Sequence, residues 1–254
     1  MEYLYDLFYA VPLLLLAGII DGIAGGGGII ALPTYLLTGM PVLSAYACNK
    51  LQSGFGTFCS AMPLVKNKYV DFKTTLCALP CTICASMLAT ELLKSWDDDI
   101  IKTIIACCLP IPVVLMFLRR KMSSGTVTSR SLDVKTVLLS MLCGAILGTY
   151  DALFGPGGGT IAIMLFSILM SYDLRVGSGN GKIIIVASNL TAMISHIASG
   201  YMIWHVAIPC ALANMLGSYI GAKLIVKKGE KLVFPTMLLV ITLLIGQTIL
   251  GFFM

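Results

Sequence analysis

Two lysines lie within apolar parts of the chain at matching positions. Lys50 lies near the start of the apolar segment 45–64, and Lys182 directly precedes the segment 183–199; the alignment of the two halves that pairs these lysines also pairs Tyr69 with Tyr201. An ammonium group within a membrane is costly and is retained there mainly for a function. Snorkelling of each ammonium group to the membrane surface is the alternative. The neighbouring residues Asn49 and Gly181 favour instead a site in which both lysines neutralise one small anion.

A run of glycines lies upstream of each lysine. Gly25 to Gly28 in the first half matches Gly155 to Gly158 in the second. Unwound backbone at membrane depth is tolerated only where protein or an aqueous cavity covers it. Helices that restart after these runs would present amide groups and a partial positive charge to an anion. Close helix packing is the alternative use of glycine. The glycines predicted to bind substrate are Gly26, Gly27, Gly28, Gly157, Gly158 and Gly159.

An aspartate precedes each glycine run. Asp21 and Asp151 correspond to each other when the second copy is given a short insertion between its glycine run and its lysine. Either carboxylate could cap free amide groups, pair with a lysine, or take up a proton during coupling. Capping is the role that the sequence supports most directly, and a proton is the candidate coupling ion.

Small polar side chains accompany the lysines on their segments. In each half they recur at helical spacing and therefore share a helix face. We interpret Ser60 and His196, near the far ends of these faces, as forming hydrogen bonds between helices. The other polar residues predicted to bind the anion are Asn49, Gln52, Ser53 and Asn189.

Nucleotide binding and enzymatic chemistry have little support in the motifs. Ile30 occupies the last position of a G-x-G-x-x-G motif that would start at Gly25, and Ile183 stands where a phosphate-binding loop requires Ser or Thr. Histidine occurs only at positions 196 and 205, without an HExxH or GxSxG motif. Three cysteines share a helix face without a neighbouring His or carboxylate, and we interpret them as packing residues: Cys77, Cys81 and Cys84. No metal or cofactor is predicted.

The composition is that of a protein whose solvent is lipid. Hydrophobic residues make up 58% of the chain and charged residues 11%, whereas about a quarter of residues are charged in soluble domains. Long apolar blocks without strand-like alternation predict membrane helices. The N-terminus lacks a basic n-region, so we expect the first segment to be retained. The basic residues lie in short loops, where membrane topology explains them. We therefore expect a lipid bilayer, and not nucleic acid, as the partner.

Loop charges indicate how the two halves are oriented. Lys66, Lys68 and Lys73 mark one loop as cytoplasmic, whereas the matching residues 199–205 contain no Lys or Arg. This opposite sidedness requires an odd number of crossings in each copy.

The predicted fold is therefore an all-α integral membrane protein with two inverted repeats. Each repeat has a glycine-broken segment, re-entrant or discontinuous, followed by three transmembrane helices. Residues 1–118 form the first repeat, 119–135 a basic cytoplasmic linker, and 136–254 the second repeat. A parallel repeat of eight plain spans is the alternative.

The duplicated order of glycine break and lysine resembles the TauE/SafE sulfite exporter family of permeases. The resemblance covers nearly the whole chain, and it rests on Gly18 to Gly28, Ala45 to Lys50, Gly144 to Gly159 and Gly177 to Lys182, with Ser188 to Leu190. It implies secondary transport of sulfite, organosulfonates or related anions across a bacterial cytoplasmic membrane. We therefore expect an alternating-access carrier of a small sulfur-containing anion. An anion channel is the nearest alternative, ahead of a membrane enzyme and a structural partner subunit.

Overall fold

The computed structural model describes residues 7–97, 100, 101, 103 and 128–228, together with 232, 235, 236, 239 and 242. Within these residues the chain forms eight named helices. They are α1 (Leu7–Ala24), α2 (Gly28–Leu37), α3 (Val42–Lys66), α4 (Phe72–Lys94), α5 (Val134–Leu153), α6 (Gly158–Met170), α7 (Leu174–Ala198) and α8 (Trp204–Lys228).

Five of these helices are long and apolar enough to cross a membrane, namely α1, α4, α5, α7 and α8. α3 also has 25 residues, and its buried face carries polar groups, including Lys50 and Gln52. α2 and α6 are shorter, with 10 and 13 residues. The prediction of an all-helical, multi-pass membrane protein is therefore confirmed. Most of the predicted linker 119–135 and the third span of each repeat lie outside the described residues.

Each predicted glycine break is present as an interruption between two helices. Gly25 follows α1 with φ of +71°, and Gly155 and Gly157 precede α6 with φ of +71° and +79°, values that glycine adopts without the steric cost met by other residues. A methyl group on Gly27 would lie only 2.6 Å from the carbonyl oxygen of Ala17. The start of α2 therefore folds back beside α1, and the pair forms a hairpin.

The helices of the two halves pack against each other in equivalent pairs. α1 packs along α8, and its counterpart α5 packs along α4; α3 contacts α8 as α7 contacts α4. The lysine-bearing helices α3 and α7 contact each other at the centre. The broken segments and lysine helices of both halves are thereby brought into one central region.

Glycines allow two of these helix pairs to approach closely. Gly18 and Gly22 of α1 face Gly217 and Gly221 of α8, where a methyl group would lie 2.2 to 2.5 Å from backbone oxygens. Small residues spaced by four permit such contacts between membrane helices. At these positions glycine therefore serves close helix packing, which was the alternative interpretation. Successive contacts advance along both helices together, so α1 and α8 run parallel.

The counterpart pair α5 and α4 is built in the same way. A methyl group on Gly144 would lie 2.3 Å from the carbonyl oxygen of Ala78, and one on Gly148 would lie 2.5 Å from that of Thr82. Successive contacts again advance in the same direction along both helices, so α5 runs parallel to α4.

Hydrogen bonds define two opposite ends of the helix bundle. At the first, here called the Asp71 end, the Asp71 carboxylate accepts from the Tyr172 hydroxyl at 2.7 Å and from the Arg130 backbone amide at 2.9 Å. At the other, the Glu91 end, the Ser195 hydroxyl donates to Glu91 at 2.6 Å and the Lys94 ammonium donates to Ser199 at 2.9 Å. The central region with the two breaks lies between these ends.

Candidate functional site

The two glycine breaks contact each other directly. The backbone amide of Gly159 donates to the carbonyl oxygen of Gly25 at 3.1 Å. A methyl group on Gly25 would lie 2.2 Å from Cα of Gly159. No side chain larger than hydrogen fits at this crossing, which is a physical reason for glycine in both runs.

A polar cavity lies beside this crossing. The cavity is small and open on one side. Ile185 contributes the only aliphatic side chain to its wall among the described residues. The lining residues are Asp21, Gly25, Gly28, Asn49, Lys50, Ser53, Thr57, Asp151, Gly155, Gly159, Lys182, Ile185 and Asn189.

Lys50 lies on one wall of this cavity and is 0% exposed. Its ammonium group forms an ion pair with the Asp151 carboxylate, at 2.9 Å from Oδ2. It also donates to the backbone carbonyl of Asp151, near the C-terminal end of α5, where helix carbonyls carry partial negative charge. A buried ammonium group requires such partners, so α5 of the second repeat stabilises the lysine of the first.

Lys182 occupies the equivalent place on the opposite wall. Its ammonium group donates to the backbone carbonyl of Asp21 at 3.0 Å, near the C-terminal end of α1. Each lysine thus reaches the broken helix of the other repeat. The carboxylates differ, however, because that of Asp21 accepts from the Gly27 amide at 3.3 Å and from the Thr57 hydroxyl at 3.4 Å. Asp21 caps its break, whereas Asp151 pairs with a lysine.

Two asparagines in the cavity wall have polar atoms without protein partners. Asn189 is 1% exposed, and neither its Oδ1 nor its Nδ2 has a hydrogen-bond partner among the described residues; Asn49 is 2% exposed, and its Oδ1 has none there either. A buried polar group that lacks a hydrogen bond costs about 1–3 kcal/mol. Their position in a polar cavity is that of groups that hydrogen-bond to a ligand or to water.

The structure brings most of the predicted site residues to this cavity. Those that line it are Lys50, Lys182, Asn49, Ser53, Asn189, Gly28, Gly159, Asp21 and Asp151. Those that lie outside its wall are Gln52, Gly26, Gly27, Gly157 and Gly158. Fewer backbone amides are available to a ligand than predicted. Those of Gly27, Gly158 and Gly159 already donate to acceptors in the protein.

Some lining residues were not predicted from the sequence, namely Gly25, Gly155, Thr57 and Ile185. Thr57 corresponds to Asn189 in the alignment that pairs the two lysines, so the repeat itself contained the signal for this position. The interhelical hydrogen bonds expected of Ser60 and His196 were wrong. The Ser60 hydroxyl bonds to the Thr57 carbonyl in its own helix, and neither ring nitrogen of His196 has a partner in the described structure.

Comparison with known proteins identifies the family. The model of the family described as Sulfite exporter TauE/SafE matches residues 10–248. The chain belongs to the TauE/SafE sulfite exporter family. The central cavity is therefore a feature of a TauE/SafE membrane transporter, and the chain is a transporter and not an enzyme.

Relatives of this TauE/SafE chain carry corresponding names. The probable membrane transporter protein YfcA of Escherichia coli K12 is 29% identical over 251 residues, covering 94% of this chain and 91% of that protein. A probable membrane transporter protein of Haemophilus influenzae is 29% identical over 219 residues, covering 86% and 85%. The probable membrane transporter protein ORF9 of a Sinorhizobium species is 29% identical over 225 residues, covering 89% and 85%. No solved structure matches the chain significantly.

Proposed function

We propose that this TauE/SafE transporter is a secondary-active permease for a small sulfur-containing anion, such as sulfite or an organosulfonate. The observation that carries the proposal is the convergence of Lys50 and Lys182 on one cavity beside Asn189, whose amide nitrogen has no hydrogen-bond partner among the described residues. Sulfite and sulfonate groups present several oxygen acceptors on one compact centre. Ammonium and amide donors around a small cavity match that arrangement.

Lys182 is the ammonium group best placed to contact the anion. Its hydrogen bond is to a backbone carbonyl, whereas Lys50 is paired with a full carboxylate charge. Less electrostatic attraction must be given up when Lys182 turns towards a substrate. We infer that Lys182 and Asn189, one face of α7, form the primary contact.

We further propose that the two repeats are inverted. α1 runs parallel to α8, and α3 does so too, since Cys48 contacts Ile203 and Gly56 contacts Asn214. The end of α4 lies level with the start of α8, because Lys94 bonds to Ser199, just before α8. α4 and its parallel neighbour α5 therefore oppose α1. Since α1 and α5 are equivalent, opposite directions support an inverted repeat.

In this arrangement the α1–α2 and α5–α6 hairpins enter from opposite ends and meet at Gly25 and Gly159. Such a centre supports alternating access, in which the cavity opens to one side at a time. The direct backbone contact of the breaks favours a carrier over an open channel. The basic residues Lys66, Lys68 and Lys73 favour a cytoplasmic location for the Asp71 end, in a bacterial inner membrane.

Counterflow in proteoliposomes tests the proposal. Vesicles loaded with unlabelled sulfite under anaerobic conditions are diluted into radiolabelled sulfite, with thiosulfate, taurine and sulfoacetate as competitors. We expect saturable exchange that Lys182→Ala reduces at least about tenfold, the size of one lost charged hydrogen bond. Lys223→Ala is the matched control, because this lysine lies over the Tyr219 ring, 4.4 Å from its centroid. Undiminished exchange by both Lys50→Ala and Lys182→Ala would refute the site, and flux that does not saturate would indicate a channel.

A further inference from the structure

The charges in the cavity wall are balanced before any substrate enters. The titratable lining groups are Lys50 and Lys182 on α3 and α7, and Asp21 and Asp151 on α1 and α5. In their ionised forms the two positive and two negative charges of these groups sum to zero. An anion that enters such a site leaves an excess negative charge inside the membrane, which is costly. Uptake of one proton by a carboxylate would restore the balance for a monoanion.

The surroundings of the two carboxylates identify which one takes the proton. Asp151 is 4% exposed, and its Oδ2 accepts from both Lys50 and the Ser188 hydroxyl, the latter at 2.8 Å. If Asp151 is neutralised, the Lys50 ammonium group loses its counter-charge and can pair with the substrate anion. The Asp21 carboxylate differs, because its hydrogen bonds come from a backbone amide and the Thr57 hydroxyl and not from a lysine ammonium group.

Two groups of hydrogen-bonded side chains lie between α4 and α7, one at Asp151 and one at the Glu91 end. The Ser188 hydroxyl lies 3.1 Å from that of Ser86, and both residues are completely buried. Further along the same two helices, the Ser195 hydroxyl bonds to Glu91 and to Lys94, at 2.6 Å and 2.8 Å. These groups reach the Glu91 end, where the side chain of Glu91 is 54% exposed.

A buried imidazole lies next to the outer group, one residue after Ser195 in the sequence. His196 is on α7 and has no hydrogen-bond partner at either ring nitrogen among the described residues. Since an unpartnered imidazole can accept or relay a proton, His196 adds a second polar group that points to proton passage here.

Among the residues that the structure describes, the surroundings of Asp21 contain no equivalent of the hydrogen bond between Ser86 and Ser188, which makes the choice of Asp151 specific. In the alignment that pairs the two lysines, Ser188 corresponds to Gly56 and Ser86 to Ser218. The Ser218 hydroxyl donates to Asn214 in its own helix at 3.2 Å, and not towards Asp21. The two repeats are thus equivalent in their lysines but different in the route to their aspartates.

We propose that Asp151 takes up one proton with each anion, and that this proton arrives from the Glu91 end between α4 and α7. In the last step Ser188 transfers its hydroxyl proton to Oδ2 of Asp151 and receives one from Ser86, which is replenished from the Glu91 side. The bond between Lys50 and Asp151 opens; when the anion leaves towards the opposite end, Asp151 releases its proton into the cavity on that side and pairs with Lys50 again. This proposal rests on the anion transport proposed above.

Proteoliposomes with a trapped pH-sensitive dye test the proton step. Sulfite and methanesulfonate are both supplied, since the charge of methanesulfonate does not change near neutral pH. We expect the lumen to acidify as the anion enters. We also expect Asp151→Asn to abolish the pH change and Ser86→Ala to slow it about fivefold, as for one lost hydrogen bond. Ser218→Ala is the matched control and should behave as the wild type.

The outcomes separate this inference from the proposed function. Sulfite counterflow should slow in Ser86→Ala, because each anion takes up one proton, and should be unchanged in Ser218→Ala; thermal unfolding verifies that both variants are folded. Anion entry without a pH change, equal proton rates in the two serine variants, or flux driven by a sodium gradient would each overturn the proton path. Absence of counterflow in the wild type would instead overturn the transport function itself.

Discussion

Lys50 and Asp151 form a buried ion pair that joins α3 of the first repeat to α5 of the second, with 2.9 Å between Nζ and Oδ2. Removing one partner of a buried pair leaves a charge without compensation, which typically costs about 3–5 kcal/mol. We expect Lys50→Ala and Asp151→Ala each to lower the unfolding temperature strongly. The double variant should lose less than the sum of the two, as measured by thermal unfolding in detergent. If the losses in unfolding temperature simply add, the two side chains do not stabilise each other.

The crossing of the breaks predicts a sharp difference between two glycines with similar backbone conformations. Gly25 and Gly39 have φ of +71° and +76°, but a methyl group on Gly25 meets Gly159 at 2.2 Å, whereas one on Gly39 meets nothing within 4 Å. Gly39→Ala should cost about 1 kcal/mol through backbone strain alone. Gly25→Ala should prevent formation of the folded transporter. Monodispersity and unfolding temperature after purification measure this, and equal behaviour of the two variants would contradict the crossing.

Asn189 should affect ligand affinity more than stability. Its amide has no protein partner among the described residues, so Asn189→Ala removes no hydrogen bond seen in the folded protein. We expect an unchanged unfolding temperature and a loss of sulfite affinity of about tenfold, corresponding to about 1.4 kcal/mol. Asn214→Ala is the control with the opposite expectation, because Asn214 bonds to Leu14 and Ser218. Anaerobic calorimetry measures the affinity, and a large loss of stability in Asn189→Ala would contradict this role.

The proposed inversion of the two repeats predicts that equivalent loops face opposite sides of the membrane. Lys68 follows α3, and Gly200 is its counterpart after α7 in the alignment that pairs the two lysines. In a background without native cysteines, Gly200→Cys should react with a membrane-impermeant maleimide added to intact cells. Lys68→Cys should react only after the membrane is opened. Labelling of both from the same side would favour the parallel alternative.

Much of this architecture could be predicted from the sequence because membrane helices and repeats leave local signals. The apolar blocks predict helices, and the duplicated glycine runs predict the interruptions now seen before Gly28 and Gly158. The two lysines were predicted to share a site, and both line one cavity. Lysine at these positions was informative about a site, because a buried ammonium group needs a compensating partner.

The details that escaped prediction depend on three-dimensional packing. Which glycine of a run faces the cavity is set by the turn at each break, so Gly25 and Gly28 line it whereas Gly26 and Gly27 do not. The exchange of partners between repeats, Lys50 with Asp151 and Lys182 with Asp21, arises from helix contacts far apart in sequence. These contacts cannot be predicted from the pattern of residues along each helix.

The most direct measurement of the central claim is the position of a bound anion. Selenite has the shape and charge of sulfite and scatters X-rays anomalously, so a crystal of the full chain grown with selenite would locate it. We predict an anomalous peak in the cavity, within hydrogen-bonding distance of Lys182 and Asn189 and beside the crossing of Gly25 and Gly159. A protein shown to transport sulfite that binds selenite elsewhere, with this cavity empty, would contradict the account.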